Sequence, residues 1–492
     1  MNLHRILAPA RLAPAALIAV AAPARAQAPH SRPSRIVAAP SAALARRLTP
    51  LLDAPPFDRG LWGIAIVNPS GRLVFERNSD RLFVPASAAK LAVAATAAAL
   101  LPDDYRFRTS TYAAGTVVDG VLQGDLVLYG RGDPTLSADA FDALADSLRA
   151  HGVARITGDV IGDASWFDSV TVHPSWETYD LMWWYAAPVT ALGYNGNTVD
   201  VTVVPGSVGE APIITLSPDL GLVHFQNFAR TVAPGAARTF DFYRRPGTNE
   251  IWAAGDLPVD TRPWSDNIAV ADGPLWSAAA FVRALRDHGI GVGGTARATF
   301  DPAATAAARN APPLAELLSP PLDSVLRPIL TMSHNWYAEM LLRTLGREFG
   351  SGGSFEGGVA VERRFLIDSL GVDSTEFQLV DGSGLSHHDV VAPRAFVTLM
   401  RGIREHPRGA RFLAAMTVPG EHGTLRTRFR FTPAAGLVRA KTGSIANTNT
   451  LVGYLELRHG GYWTYAIQLN NHLVPTRAAL RRIDAIVAAI GR

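Results

Sequence analysis

The sequence predicts a mixed α/β protein whose main domain is interrupted by a long insertion. Near the amino end, two strand-like stretches at 63–67 and 72–76 are separated by a short turn and followed by a helix-forming run at 92–101. Near the carboxyl end, 451–457 and 462–469 are typical of adjacent antiparallel strands. The lysine-bearing motifs described below lie next to these elements and define where the insertion falls.

Composition indicates a well-packed globular protein rather than a disordered one. Of the 492 residues, 48% are hydrophobic and 18% are charged, and this length allows two or three domains with sizeable cores. The formal net charge is +3, but beyond residue 26 there are 43 basic and 43 acidic residues. The balance of charge therefore gives no reason to expect a nucleic-acid partner.

The first 26 residues are predicted to be a signal peptide. Arg5 precedes an apolar stretch at 12–22, and Ala24-Arg25-Ala26 is typical of a cleavage site. The apolar stretch is too short to span a bilayer, and no later stretch is long enough. The chain has no cysteine, which excludes disulfides and a Cys-linked lipid anchor. We expect a periplasmic or secreted protein, soluble after cleavage and without a transmembrane helix; an amphipathic first helix of the fold is the alternative.

Lysine usage is the most informative feature of the composition. The chain contains two lysines, Lys90 and Lys441, against 44 arginines. An arginine cannot lose its proton in a protein, whereas a lysine amine can be tuned toward neutrality and act as a base. The two retained lysines are therefore candidates for chemistry that arginine cannot perform.

Lys90 follows a serine at the spacing S-x-x-K. Ser87 comes after Pro85, where the helix containing 92–101 is expected to begin, and residues three apart share a helix face. The Lys90 amine should reach the Ser87 hydroxyl. In most proteins such a pair is only an N-cap serine beside a solvated lysine.

Lys441 belongs to Lys441-Thr442-Gly443-Ser444 on an expected strand. On a strand beside a nucleophile, this K-T-G segment supplies a cation, a hydroxyl and a backbone N–H. A phosphate-binding loop is excluded because Ala440 stands where that motif needs glycine and because a strand is expected to follow.

Two segments fit the spacing S-x-N between these motifs. Ser265-Asp266-Asn267 precedes an apolar, strand-like run, whereas Ser333-His334-Asn335 opens a helical pattern. We favour Ser333 and Asn335.

S-x-x-K, S-x-N and K-T-G in this order resemble the class C low-molecular-mass penicillin-binding proteins, the D-alanyl-D-alanine carboxypeptidase/endopeptidase (type-4) family. The resemblance covers nearly the whole chain after the signal segment. Further matching segments are G-D-P-T-L at 132–136, Y-A-A-P-V at 185–189, D-G-S-G-L-S at 381–386 and G-T-L at 423–425. The sequence departs from the family at His334, where Asp is common, at His387, where Arg is frequent, and at Ser444, where Thr is usual.

The resemblance implies an acyl-enzyme serine peptidase that trims peptidoglycan stem peptides and cross-links and is inhibited covalently by β-lactams. It implies catalytic roles for Ser87, Lys90, Ser333, Asn335 and Lys441, and substrate contacts by Thr442, Gly443, Ser444 and Ser383. No cofactor and no metal are expected.

The resemblance also implies a transpeptidase/β-lactamase-like α/β domain, an antiparallel sheet flanked by helices, with two nested inserted domains. Ser87 and Ser333 are 246 positions apart, which is too far for one connection in a compact domain. We expect a catalytic domain at 27–104 and 313–492, inserted domain II at 105–174 and 263–312, and inserted domain III at 175–262. The insertion is expected to affect substrate choice rather than chemistry.

Two other function classes remain open from the sequence. A serine β-lactamase or esterase can use the same fold, but it leaves the long insertion unexplained. A non-catalytic cell-wall binder or lactam sensor would not need both lysines.

Overall fold

A six-stranded sheet organises the part of the molecule that carries the lysine motifs. The computed structural model describes residues 36–491, so the predicted signal peptide at 1–26 lies outside the described residues. In spatial order the strands are Val37–Ala38, Arg72–Arg77, Leu61–Val67, Tyr462–Asn470, Thr448–Glu456 and Val438–Ile445. All neighbours in this order are antiparallel except the first pair, which is parallel. The two ends of the chain therefore build one sheet.

Helices cover both faces of this sheet. Along the strand Leu61–Val67, Ile64 and Ile66 belong to one hydrophobic cluster, whereas Ala65 and Val67 belong to another, as the two-residue period of a strand requires. The first cluster includes the helices Ala42–Asp53 and Thr476–Ile490, and the second includes the alanine-rich helix Lys90–Leu100. The predicted fold class, α/β with an antiparallel sheet between helices, is confirmed.

Eleven α-helices occur within residues 36–491. They are Ala42–Asp53, Lys90–Leu100, Ala138–Ala150, Gly273–Asp287, Pro302–Arg309, Leu322–Thr331, Asn335–Phe349, Phe355–Asp368, Pro393–Glu405, Gly409–Ala415 and Thr476–Ile490. None of the helices in this described range is long and apolar enough to cross a membrane.

A second, mixed sheet of seven strands lies between the first two motifs in sequence. Its main path is Gly291–Val292, Arg155–Ile156, Val121–Gly130, Arg108–Val118 and Ala315–Leu318, and Val160–Asp163 and Ala296–Thr299 complete it. The helix Ala138–Ala150 and the helix Gly273–Asp287 are each followed by two short strands, and these strands pair in parallel between the two halves. These two helix–strand–strand units thus form two similar halves of one sheet.

The segment between those halves forms small β-sheets around their own apolar cluster. The strands are Thr198–Val204, Ile213–Ser217 and Trp264–Ala269; His224–Asn227, Asp241–Arg244 and Glu250–Ala254; and Arg230–Val232 with Asp256–Pro258. Val201, Phe242 and Ile251 are among the buried side chains of this cluster. A last short pair, Phe377–Gln378 with Val390–Val391, lies beside the D-G-S-G-L-S segment.

Candidate active site

Ser87 lies in a 3₁₀ turn, Ala86–Ala89, that leads directly into the helix Lys90–Leu100. The edge strand Val438–Ile445 approaches this turn so closely that a Cβ at Gly443 would lie 2.4 Å from the Pro85 carbonyl oxygen. Only glycine tolerates that approach. The K-T-G glycine therefore permits the contact between the nucleophile turn and the strand that carries Lys441.

Lys90 is fully buried and touches three segments of the chain. Its Nζ donates to Ser87 Oγ at 2.9 Å, to Asn335 Oδ1 at 2.6 Å and to the Ser383 carbonyl oxygen at 2.6 Å. Burial lowers the Lys90 pKa to about 7, although nearby carboxylates of Asp381 and Glu339 act in the opposite direction. The amine is thus poised to hold or release a proton near neutral pH while in contact with the serine hydroxyl.

Lys441 lies on the strand Val438–Ile445 and contacts the S-x-N turn. Its Nζ donates to Ser333 Oγ at 2.8 Å and to the Thr442 carbonyl oxygen at 2.6 Å. Burial, and then the like charge of Lys90, lower the Lys441 pKa well below its usual range. The two lysines are therefore electrostatically coupled.

The Ser333-His334-Asn335 turn joins the two lysines. Ser333 adopts a left-handed backbone with φ of 64°, and the helix Asn335–Phe349 begins two residues later. Ser333 contacts Lys441 and Asn335 contacts Lys90, so one turn reaches both amines. Asn335 Nδ2 also donates to the Tyr185 carbonyl oxygen at 2.7 Å, which fixes the orientation of the amide.

The alternative S-x-N segment contacts neither lysine. Ser265 and Asn267 lie on the strand Trp264–Ala269, where Ser265 Oγ is 2.9 Å from Thr202 Oγ1 and Asn267 hydrogen-bonds Asp200. The structure therefore brings Ser333 and Asn335, the favoured pair, to the two lysines.

Thr442 and Ser444 lie two residues apart on one face of the K-T-G strand, where Thr442 is buried and Ser444 is exposed. Thr442 Oγ1 donates to Thr424 Oγ1 at 2.9 Å, and Ser444 Oγ accepts from Asn449 Nδ2 at 2.8 Å. The Thr424 N–H also donates to the Thr331 carbonyl oxygen at 3.0 Å, just before the S-x-N turn. The G-T-L segment, to which the sequence assigned no role, thus ties the K-T-G strand to that turn.

Ser383 meets the site through its backbone rather than its hydroxyl. Its carbonyl oxygen accepts from Lys90, whereas its buried Oγ accepts from the Leu385 N–H at 3.3 Å. The next residue, Gly384, has φ of 73°, and a Cβ there would lie 2.0 Å from the Ala86 carbonyl oxygen. The D-G-S-G-L-S segment therefore packs directly on the nucleophile turn and presents a carbonyl to Lys90.

Buried carboxyl groups hold this segment in place, and sequence reasoning missed the principal one. Glu339 Oε1 accepts from the Ser383 N–H at 2.7 Å, and Glu339 Oε2 accepts from the Gly382 N–H at 3.0 Å. Asp381 Oδ1 accepts from the Gly384 N–H at 2.7 Å. Burial, and then the neighbouring Asp381, raise the Glu339 pKa, whereas the hydrogen bonds from Ser383 and Gly382 and the charge of Lys90 favour the ionised carboxylate. The sequence spacing could have identified Glu339, because it follows Asn335 by four residues and so shares its helix face.

The inserted segment takes part in the site. Besides the Tyr185 contact to Asn335, Trp176 Nε1 donates to Asp381 Oδ2 at 2.9 Å. Both residues fall within the region that the sequence assigned to domain III. The segment 176–185 of the insertion is thus hydrogen-bonded to residues around the site, and the expected effect of the insertion on substrate choice rather than chemistry stays a prediction.

Comparison with known proteins gives this arrangement a family. The model of the D-Ala-D-Ala carboxypeptidase 3 (S13) family matches residues 44–491. A D-alanyl-D-alanine carboxypeptidase of Actinomadura sp. (strain R39) is 32% identical over 453 residues, covering 89% of this chain and 83% of the relative. The D-alanyl-D-alanine carboxypeptidase DacB of Haemophilus influenzae is 25% identical, covering 79% and 81%.

A solved structure has the same fold. The crystal structure of penicillin binding protein 4 (dacB) from Haemophilus influenzae superposes with a TM-score of 0.80 at 24% identity, covering 90% of this chain and 97% of that one. A second structure of that protein, complexed with a β-lactam, has a TM-score of 0.73 at 22% identity and covers 91% and 96%. The resemblance inferred from the motifs is confirmed: the chain belongs to the D-Ala-D-Ala carboxypeptidase 3 (S13) family.

Proposed function

We propose that this protein is a serine D-alanyl-D-alanine carboxypeptidase/endopeptidase that cleaves peptidoglycan stem peptides and cross-links through an acyl-enzyme on Ser87. The observation that carries the proposal is the contact of 2.9 Å between Lys90 Nζ and Ser87 Oγ at a fully buried amine. Membership of the S13 family, and relatives named as D-alanyl-D-alanine carboxypeptidases, support the same reaction.

Acylation begins when neutral Lys90 removes the proton from the Ser87 hydroxyl. The Ser87 Oγ attacks the carbonyl carbon of the D-Ala–D-Ala bond, and collapse of the tetrahedral intermediate breaks the C–N bond. Asn335 and the Ser383 carbonyl hold Lys90 toward Ser87 throughout. A pKa of about 7 suits this role because a general base works best near the operating pH.

Ser333 and Lys441 serve the leaving group. Ser333 Oγ, held by Lys441 at 2.8 Å, relays a proton to the departing D-Ala amine, and the Lys90 ammonium then resupplies Ser333. Lys441, Thr442 and Ser444 bind the terminal carboxylate of the substrate, while Gly443 allows the strand to approach.

The backbone N–H groups of Ser87 and Ser444 stabilise the oxyanion. One such donor is typically worth about 3–4 kcal/mol in the transition state. Water then attacks the ester, Lys90 again accepts a proton, and Ser87 is released.

The same nucleophile accounts for a β-lactam partner. A β-lactam presents a strained amide to Ser87, and its ring opening leaves the same kind of ester. A relative of this fold has been solved in complex with a β-lactam. The family assignment favours the peptidase over the β-lactamase and over the non-catalytic sensor.

We also propose the nested domain organisation, supported by strand pairing. The strand Ala315–Leu318 pairs with Arg108–Val118, and Trp264–Ala269 pairs with Thr198–Val204. These pairings favour a domain II that extends to about residue 318 and a domain III that extends to about residue 269. The site of action proposed for the mature protein, from about Gln27 onward, is the periplasm or the cell exterior.

The test is incubation with a fluorescent penicillin followed by denaturing electrophoresis, together with measurement of D-Ala release from a stem pentapeptide. A lasting adduct that is lost in Ser87→Ala, with D-Ala release by the unmodified protein, is expected. Rapid clearance of the adduct would instead identify a β-lactamase, and an adduct without D-Ala release would identify a sensor.

A further inference from the structure

A second cavity adjoins the S-x-N turn on the side of its middle residue. Ser333 and Asn335 contact the two lysines, whereas His334 between them lines a cavity of about 310 Å³. The lining of this cavity includes none of the five proposed catalytic residues. His334 nevertheless connects the cavity to two of these residues, because it lies between Ser333 and Asn335 in one turn.

One wall of the cavity is aromatic. The His334 ring lies 4.7 Å from the Tyr337 ring and 5.6 Å from the Trp184 ring, measured between centroids, and all three residues line the cavity. His334 Nδ1 is buried without a hydrogen-bond partner among residues 36–491. Burial, assisted by the Lys90 charge, lowers the His334 pKa to about 4, so the ring is neutral and offers one donor and one acceptor.

The rest of the lining forms a largely polar wall that carries little free charge. Asn267, from the unused Ser265-Asp266-Asn267 segment, pairs in register with Asp200, and its amide donates to the Asp200 carboxylate. Asp200 is the single carboxylate of the lining, which contains no lysine or arginine. The other polar groups, such as those of Asn195 and Ser137, are neutral.

This combination selects the chemistry of an occupant. With no cation in the lining, a phosphate or carboxylate finds no partner. An ammonium group can pair with Asp200, but it offers no acceptor to the amide and hydroxyl donors of the lining, such as those of Asn195 and Ser137. A neutral ring with several hydroxyl or amide groups satisfies both walls, since its C–H face packs on the aromatic rings and its polar edge meets the carboxylate and the amides.

We propose that this cavity binds a sugar ring of the glycan strand to which the stem peptide is attached. The inference rests on the proposed function, because it treats peptidoglycan as the substrate. Through His334, a bound sugar sits next to the turn that holds both lysines, so glycan binding favours stem peptides still attached to the glycan strand over free peptides.

The test compares D-Ala release from a stem pentapeptide attached to its disaccharide with release from the same peptide without sugars. Each kcat/KM is normalised to the penicillin acylation rate of the same variant. The unmodified protein should prefer the sugar-bearing substrate by about tenfold. Asp200→Ala should abolish that preference, whereas the control Asp266→Asn, on the same strand pair but outside the cavity lining, should keep it.

Equal use of both substrates by the unmodified protein, or an undiminished preference in Asp200→Ala, would overturn the proposal. The proposal would also fail if Asp200→Ala changed only the preference between stem peptides with a free side-chain amine and stem peptides with an acetylated one. The occupant would then be an ammonium group. A second measurement needs no turnover: calorimetry measures the binding of the peptide-free disaccharide to the unmodified protein and to Asp200→Ala. Loss of heat in the variant supports the sugar site even if D-Ala release, and with it the proposed function, fails.

Discussion

Lys90 and Lys441 are both buried beside Ser333-His334-Asn335, yet their electrostatic surroundings are opposite. Burial depresses the pKa of each amine, but Lys90 is compensated by the carboxylates of Asp381 and Glu339, whereas Lys441 faces the like charge of Lys90. Lys90 can therefore exchange its proton near neutrality. Lys441 lacks an anion until a substrate carboxylate supplies one. Two similar lysines beside one turn are therefore suited to different tasks, one to proton transfer and one to anion binding.

Lys90→Arg should produce the largest loss. A guanidinium keeps the charge but cannot release its proton near neutral pH. General-base assistance is typically worth about 10²–10⁴-fold, so the second-order rate of Ser87 acylation by one penicillin should fall by that much. Thermal unfolding of the same variant serves as the control for folding. A Lys90→Arg variant that acylates as fast as Lys441→Arg would show that the two lysines do not differ in the proposed way.

Lowering the pH should also slow the acylation of Ser87 in the unmodified protein. Since the Lys90 pKa is about 7, the neutral base disappears as the pH falls below 7. At two units below the pKa roughly 1% of the amine remains neutral, so acylation should be about 100-fold slower at pH 5 than on the plateau. The measurement is the pH profile of penicillin acylation. A flat profile between pH 5 and 8 would contradict the assignment of Lys90 as base.

Glu339→Gln should have an intermediate effect through Lys90. Glu339 is a positioning residue that holds the N–H groups of Gly382 and Ser383, and its negative charge raises the Lys90 pKa. Loss of a buried charged hydrogen bond of about 1–3 kcal/mol should lower the plateau rate about tenfold. Removal of the charge should also move the acid limb to lower pH.

A shift in the acid limb of the pH profile distinguishes an effect of Glu339 on the Lys90 pKa from a purely structural effect. A Glu339→Gln variant with a lower rate but an unmoved limb would be structural only. Glu362→Gln, a buried carboxyl on the next helix that is not hydrogen-bonded to the D-G-S-G-L-S segment, is the matched control and should shift the limb less.

Lys441→Arg should have the smallest effect. Arginine also binds carboxylates, and we expect acylation to fall only several-fold, mainly through KM for the peptide substrate. Comparing kcat and KM for D-Ala release in this variant checks the point. A collapse of kcat with KM unchanged would place Lys441 in proton transfer alongside Lys90.

Sequence reasoning reached the fold class and the residues that contact each other over short spacings. Ser87 and Lys90 are three apart on one turn, and the helical pattern after Asn335 distinguished the correct S-x-N segment from the strand-like one. These features depend on local periodicity, which can be read from the order of residues alone.

Features that depend on backbone direction or on distant packing could not be predicted in the same way. Ser383 was expected to contact the substrate, which stays a prediction, and nothing in the sequence indicated that its carbonyl faces Lys90. The Tyr185 carbonyl on Asn335 and the Glu339 carboxyl under Ser383 likewise follow from how distant segments pack, and no residue pattern encodes which backbone oxygen will face a given amine.

The contacts of Lys90 also have a consequence for how the protein becomes active. They span 3, 245 and 293 positions in the chain, and two of the three therefore require the closure of very long loops. During synthesis the nucleophile turn is complete long before Asn335, Ser383 and the K-T-G strand emerge. Contacts of such high sequence separation form slowly, so the amine stays solvated, with its ordinary basicity, until the late segments dock. Penicillin reactivity should therefore appear among the last events of refolding, as a reporter of the moment when the two ends of the chain meet.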